Sequence, residues 1–195
     1  YAERWPREQD DFEILRNETW VEAIMGGEGQ IRYGGIVDRL VRLDNSVFVM
    51  DTKTTSGYLT ENYFAQYLLS TQLRGYVALE HMDGRLCEGV YVDAVHVDTR
   101  AQRAKPEYCQ RWGPHRYTPA QLSEWARDAE RTVREIERYV AEVGTGERWE
   151  QRDGACFKWN KACPYHARCQ LAPELAETLP GYKLEMWEPH KRGGP

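Results

Sequence analysis

Apolar and polar positions along the chain alternate in short blocks separated by turn residues. "ETWVEAIM" (18–25) has strand character, and "GGEGQ" (26–30) carries the glycines and polar residues of a turn. "VDRLVRL" (37–43) and "VFVMDTK" (47–53) read as two strands joined at "DNS", since Asp-Asn tolerates the positive φ angles of a tight hairpin. From about Glu61 to Met82 the residues Phe64, Tyr67, Leu68, Tyr76 and Leu79 recur at helical spacing, predicting one amphipathic helix that "DGR" ends. "LCEGVYVDAVHVD" (86–98) alternates with period two and predicts a strand, with a long polar loop after it. "TPAQLSEWARDAERTVREIERYVAEV" (118–143) opens with Thr118 as N-cap and Pro119 at the first helical position. Leu122, Trp125, Ala129, Val133, Ile136 and Val140 fall on one stripe of it, so it reads as a long outer helix. The last fifty residues lack periodicity and are rich in Cys, Pro and aromatics, as suits a segment pinned by a metal or by packing. There is no internal repeat and no low-complexity tract.

With 195 residues and 41% hydrophobic content the chain can bury one good core, so a main domain over 1–150 with a small appendage over 151–195 is expected. A formal net charge of -5 supplies no general basic field, and any contact with nucleic acid then has to come from a local patch. No apolar run approaches the roughly 18 residues of a membrane span and no secretory signal is visible, which predicts a soluble, cytoplasmic protein. Five cysteines, three of them between positions 156 and 169, suit a reducing compartment and a metal site better than a disulfide framework. The chain opens at "YAERWPREQDDFEILRNETW" without Met and without a clear helix ahead of the first strand, and a missing N-terminal piece is expected.

The unusual chemistry lies in the hairpin. Residues two apart in a strand share a face, so Asp51 and Lys53 point the same way. If Asp44-Asn45 forms a two-residue loop, Leu43 pairs with Ser46 and the same register sets Asp38 opposite Asp51. Facing carboxylates with Cβ atoms ~5 Å apart destabilise a sheet unless a cation sits between them. A divalent ion such as Mg²⁺ prefers such oxygens, lowers the pKa of a bound water and bridges to phosphate, and Lys53 stands where it can orient that water or neutralise developing charge. The plainer reading makes Asp38 and Lys53 strand ends that reach solvent, with Asp51 paired to Lys53 or Arg39. Gln72 lies one turn after Leu68 and one turn before Tyr76, on the stripe expected to pack on the sheet, where an amide needs a partner: a backbone group or a functional one.

"GGIVDRL", "VMDTKTT" and "TQLRGYV" resemble the G-x-x-D, D-x-K-T and Q-x-x-x-Y motifs of the PD-(D/E)XK nuclease superfamily in its RecB-like exonuclease branch, and the resemblance covers residues 18–98 well. It implies an α/β, restriction-endonuclease-like fold: a mixed, mostly antiparallel central sheet flanked by helices, with a cysteine-rich C-terminal lobe. It implies Asp38 and Asp51 as ligands of Mg²⁺ or Mn²⁺, Lys53 as the catalytic lysine, and Gln72 and Tyr76 as the helix pair that lines the site and contacts DNA. Members usually carry a His or Glu on a helix before the first strand. Here Glu18 and Glu22 are the upstream acids in a strand-like segment, and both read as exposed strand positions.

"CFKWNKACPYHARC" (156–169) is similar to the cysteine-rich tail of phage and CRISPR-associated members, as is the closing "MWEPHKR". That likeness implies a [4Fe-4S] cluster held by Cys156, Cys163, Cys169 and one N-terminal cysteine. With three thiolates in place the set is incomplete or the cluster absent, and His166 offers a zinc site instead. Cys87 and Cys109 read as ordinary buried thiols. The activity implied is metal-dependent hydrolysis of DNA phosphodiesters, at ends or on single strands, in recombination, repair or phage DNA processing, with a protein partner in such a complex. Two rivals are a non-catalytic nucleic-acid or protein-binding module on the same fold, and a zinc-stabilised interaction domain. "RAQRAKPEYCQRWGPHR" (100–116), with Tyr108 and Trp112 interleaved, is either a local basic and stacking patch or a solvated loop.

Overall fold

The computed structural model describes residues 11–26, 31–97, 106–143, 156–158, 161–171 and 180–181. Strand β1 (Glu13–Met25) runs antiparallel to β2 (Ile31–Leu43), with Trp20 opposite Ile36 and Met25 opposite Ile31. Asp44 takes a left-handed φ of 52° in the turn that follows, a conformation that Asp reaches more readily than most side chains. The chain thereby reverses at once into β3 (Ser46–Thr55), with Leu43 opposite Ser46 and Arg39 opposite Met50, the register expected from an Asp44-Asn45 loop.

Helices α1 (Glu61–Ala65) and α2 (Thr71–Met82) carry the chain back to β4 (Cys87–His96), which lies parallel to β3. Strand β5 (Cys109–His115) closes the other edge antiparallel to β4. The sheet order is β1-β2-β3-β4-β5, a mixed, mostly antiparallel α/β sheet flanked by helices.

Alternation along β3 sorts its side chains between the two faces. Val49 joins Leu40, Leu73, Tyr76, Val77, Leu79, Val90 and Val92 in the main core, on the side that α2 covers. Phe48 and Met50 join Val41 and Tyr91 in a smaller cluster. Burial of each such aliphatic or aromatic side chain contributes about 1.5–3 kcal/mol. Three acids are buried as well, Asp51, Glu80 and Asp93. Glu80 pairs with Arg16 and Arg85, and Asp93 is gripped by Arg111 at 2.6 Å and Arg39 at 3.2 Å. A buried carboxylate needs such partners, because its desolvation is costly.

The sequence predicts one helix over 61–82, and the structure has two. The Ser70 hydroxyl accepts from the Leu73 N–H at 3.3 Å and caps a fresh helix start, while residues 66–70 form a turn. Leu68, expected on the buried stripe, is therefore outside α2 and 37% exposed. The polar loop expected after β4 is also corrected. Pro106–Tyr108 form a 3₁₀ turn and β5 follows, with Trp112 packed beside Phe64 and His115 against the main core rather than free on a surface patch. Arg111 and Arg116 of the same segment are held by Asp93 and Glu88, and residues 98–105 lie outside the described residues.

Helix α3 (Pro119–Val143) starts as expected. The Gln121 N–H donates to Thr118 Oγ1 at 3.3 Å, and the Thr118 N–H donates back to Gln121 Oε1 at 2.8 Å, a reciprocal capping box. Trp125 is buried edge-on against Tyr33, whereas Ile136 and Val140, farther along the same stripe, are exposed. The chain divides inside α3 into two compact units, 1–130 with 189–195, and 131–188. In the second, β6 (Phe157–Lys158) and β7 (Lys161–Ala162) form a two-stranded hairpin followed by α4 (His166–Cys169). The boundary expected at residue 150 lies outside the described residues. Among the described residues no helix is long and apolar enough to cross a membrane.

Candidate active site where β2 and β3 part

The β2–β3 ladder ends at Arg39 and Met50. One step beyond it stand Asp38 and Asp51, the pair whose facing positions the hairpin register predicts. The Thr52 N–H donates to Asp38 Oδ2 at 2.9 Å, so the Asp38 side chain, not a backbone carbonyl, satisfies the first amide past the end of the ladder. This contact anchors Asp38 between the two residues of β3 that matter most, Asp51 and Lys53. On the other sheet face Arg39 reaches the Thr52 hydroxyl at 2.6 Å as well as Asp93, fixing the same segment from behind. Arg39 is therefore not the partner of Asp51.

That partner is Lys53, whose ammonium lies 2.7 Å from Asp51 Oδ2. Asp51 is 1% exposed; its Oδ2 is met by the Lys53 ammonium, and Oδ1 has no hydrogen-bond partner among the described residues. Burial pushes the Asp51 carboxyl above the ordinary carboxylate range. Lys53 pulls it back, the Asp38 charge pushes it further up, and Arg39 lowers it a little. A buried carboxylate with one oxygen unpartnered and a second carboxylate beside it is a donor set suited to a hard divalent cation, which would take up the open lone pairs and offset the repulsion.

Lys53 Nζ also donates to Gln72 Oε1 at 2.9 Å, and Gln72 Nε2 donates to the Tyr76 hydroxyl at 2.9 Å. The structure thus brings Asp38, Asp51, Lys53, Gln72 and Tyr76 into one connected site. It corrects one premise: Gln72 is exposed, not buried. It is the second residue of α2 and stands over the end of the sheet, where it meets the site from its open side. Tyr76, one turn on, is buried. Burial raises its hydroxyl pKa, the Gln72 amide lowers it, and the Asp51 and Asp38 charges raise it again, so the group keeps its proton at neutral pH.

Gly35 makes room for this ring, since a Cβ there would stand 2.8 Å from Tyr76 Cε1. Tyr63 and Tyr67 stand nearby with hydroxyls 3.1 Å apart. Burial, the Tyr63 hydroxyl and the Asp51 charge all push Tyr67 well above the usual tyrosine range.

Sequence reasoning misses the supports. Asp93 interrupts an apolar strand between Val92 and Ala94, a signal of a buried charge on the opposite face, yet its partners Arg39 and Arg111 are distant in sequence. The spacing places Tyr67 only on a helical stripe. The upstream acids Glu18 and Glu22 lie exposed on β1, as expected.

The expected cysteine site is not built by the described residues. None of the five cysteines forms a disulfide, and no three His, Cys, Asp or Glu side chains among the described residues gather as metal ligands. The Cys163 N–H donates to the Cys156 carbonyl at 2.7 Å across the β6–β7 hairpin, while exposed Cys169 ends the single turn of α4. The local backbone bonds arrange these residues without gathering their sulfurs or the His166 ring into one group. Among the described residues no ligand set for an iron–sulfur cluster or a zinc ion is assembled. Cys87 and Cys109 are buried, and burial pushes the Cys87 thiol up to about 12, which leaves it inert.

No curated protein matches the chain. A family model for the PD-(D/E)XK nuclease superfamily matches residues 1–170, a span that contains every residue of the Asp38–Tyr76 site. The chain belongs to the PD-(D/E)XK nuclease superfamily.

Proposed function

We propose that this chain is a Mg²⁺- or Mn²⁺-dependent deoxyribonuclease of the RecB-like branch, an exonuclease that hydrolyses DNA at ends or on single strands in recombination, repair or phage DNA processing. Membership of the superfamily suggests a metal-dependent nuclease. The observation that carries the finer reading is Asp51, buried beside Asp38 with Oδ1 unpartnered among the described residues and Oδ2 meeting the Lys53 ammonium at 2.7 Å. The five free thiols suit the reducing interior of a cell.

Asp38 and Asp51 would hold the cation. The chemistry such an ion would supply there is a lowered pKa for a bound water and polarisation of a phosphodiester oxygen. Lys53, held between Asp51 and Gln72, presents its ammonium beside the carboxylates, where it orients the attacking water and offsets charge gathering on the phosphate. Gln72 is committed at both ends and holds Lys53 and Tyr76 in register. The Tyr76 hydroxyl accepts from Gln72 and has its own proton to give, which makes it a donor to a backbone phosphate.

Two acids, not three, converge among the described residues, and a nuclease fold reduced to nucleic-acid binding would present the same picture. The test compares linear with covalently closed circular DNA, incubated with the full chain in Mg²⁺, Mn²⁺, Ca²⁺ or EDTA. Loss of linear but not circular DNA in Mg²⁺ or Mn²⁺, with binding but no turnover in Ca²⁺, supports the exonuclease. Cleavage of the circle would make it an endonuclease, and binding without cleavage in any metal would favour the binding module.

A further inference from the structure

We propose that Tyr58 and His96, backed by Tyr108, form a stacking subsite for an unpaired base of the DNA strand that enters the Asp38–Asp51–Lys53 site; the inference rests on the nuclease reading above. Tyr58 is 86% exposed, so its ring has no packing role in the core. It lies parallel to His96 within 5°, ring centroids 6.1 Å apart, and Tyr108 meets His96 edge-on at 4.7 Å.

This ladder sits at the end of the catalytic strand. Thr55, the last residue of β3, pairs with His96, the last of β4. Tyr58 follows Lys53 by five residues, at most about 17 Å of extended chain, which a few nucleotides of a single strand can span.

The turn that presents Tyr58 is tied down on all sides. The Gly57 N–H donates to Thr55 Oγ1 at 3.0 Å, His96 Nδ1 bonds the Gly57 carbonyl at 2.8 Å, and the Thr60 N–H donates to the Tyr58 carbonyl at 3.1 Å. A rigid ring loses little freedom when a ligand stacks on it. Every base has a π-face, so such a platform grips single strands without reading sequence, whereas bases inside a duplex are already stacked on one another. Charge is not the main source of grip here. The net charge is -5, and among the described residues Arg39 and Arg111 are engaged by Asp93, while Arg116 pairs with Glu88 at the opposite end of the sheet. The subsite therefore selects strands with an unpaired end.

The test uses the full chain in Ca²⁺ and measures fluorescence anisotropy of a labelled single-stranded oligonucleotide and of a blunt duplex, for wild type, Tyr58→Ala and Tyr58→Trp. Tyr58→Ala should weaken single-strand binding about tenfold, with a smaller loss for the duplex, an unchanged salt slope because no phosphate contact is removed, and an unchanged melting temperature. Tyr58→Trp should bind the single strand as well as wild type or better. Equal single-strand affinity of wild type and Tyr58→Ala overturns the subsite, as does failure of wild type to bind the oligonucleotide at all. Cleavage in Mn²⁺ is read in parallel on wild type. Its absence, with the Tyr58→Ala binding loss intact, would sink the nuclease reading and leave the stacking platform standing.

Discussion

Lys53 donates to Gln72 at 2.9 Å, a bond that ties the middle of β3 to the first turn of α2. Because the same ammonium meets Asp51 at 2.7 Å, the strand and the helix share one cation between a carboxylate and an amide. Removing that cation is expected to separate function from fold. Lys53→Ala should lower DNA cleavage by about 100-fold or more, the scale of a positioned acid–base group. It should leave circular dichroism unchanged and move the melting temperature by only about 3 °C, since the side chain is partly exposed and no hydrophobic core is lost. Cleavage at the wild-type rate in Lys53→Ala would show that Lys53 has no part in the reaction.

Asp51 makes a prediction about stability and pH. Its carboxyl sits above the ordinary carboxylate range in the folded protein, so the fold binds the proton more tightly than the unfolded chain does. The stabilising contribution of the neutral form is complete below the unfolded value and is lost as pH rises through the folded one. In metal-free buffer at neutral pH Asp51→Asn should therefore melt at the same temperature as wild type or higher, with the advantage disappearing at acidic pH, while cleavage is abolished. A large drop in melting temperature at neutral pH would mark the Asp51–Lys53 contact as a structural ion pair.

Gly35 and Tyr76 are coupled by contact. A Cβ at position 35 would press on the Tyr76 ring at 2.8 Å, so Gly35→Ala should destabilise by about 1–3 kcal/mol, the cost of overpacking, or else displace the ring. Tyr76→Phe keeps the ring and removes only the acceptor of Gln72 Nε2. It should lose cleavage with little loss of stability, and the double variant should show the two effects to be non-additive. Additive effects on cleavage would mean that Gly35 acts elsewhere than on Tyr76.

Much of this site was legible in the sequence because it is local. The Asp44-Asn45 turn sets the hairpin register, and from the register the meeting of Asp38 with Asp51 and Lys53 follows. Gln72 and Tyr76 stand one helical turn apart, as their spacing implies, but the apolar run from Phe64 to Leu79 hides the break that Ser70 makes, and Gln72 is exposed. Long-range partners were not legible. Nothing near Asp93 in the sequence points to Arg39 or Arg111, and β5 escaped notice because Gly113 and Pro114 interrupt the alternation of a short edge strand. The cysteines crowd in sequence, yet closeness in sequence does not bring three sulfurs together when local backbone bonds hold them in a hairpin and a helical turn.

The Arg39–Asp93–Arg111 group lies on the sheet face opposite Asp51 and holds Thr52 through Arg39. Asp93→Ala would leave two mostly buried guanidinium groups without this carboxylate, and should cost about 3–5 kcal/mol in urea unfolding. A cost under about 1 kcal/mol would show that the pairs are no more than surface contacts.

The central claim is that Asp38 and Asp51 together hold one divalent cation. Its most direct test is Mn²⁺ titration of the full chain followed by electron paramagnetic resonance, for wild type, Asp38→Asn, Asp51→Asn and Lys53→Ala. The account predicts a Mn²⁺ site in wild type that is lost or strongly weakened in either aspartate variant and kept in Lys53→Ala. Undiminished Mn²⁺ binding in Asp51→Asn would contradict it.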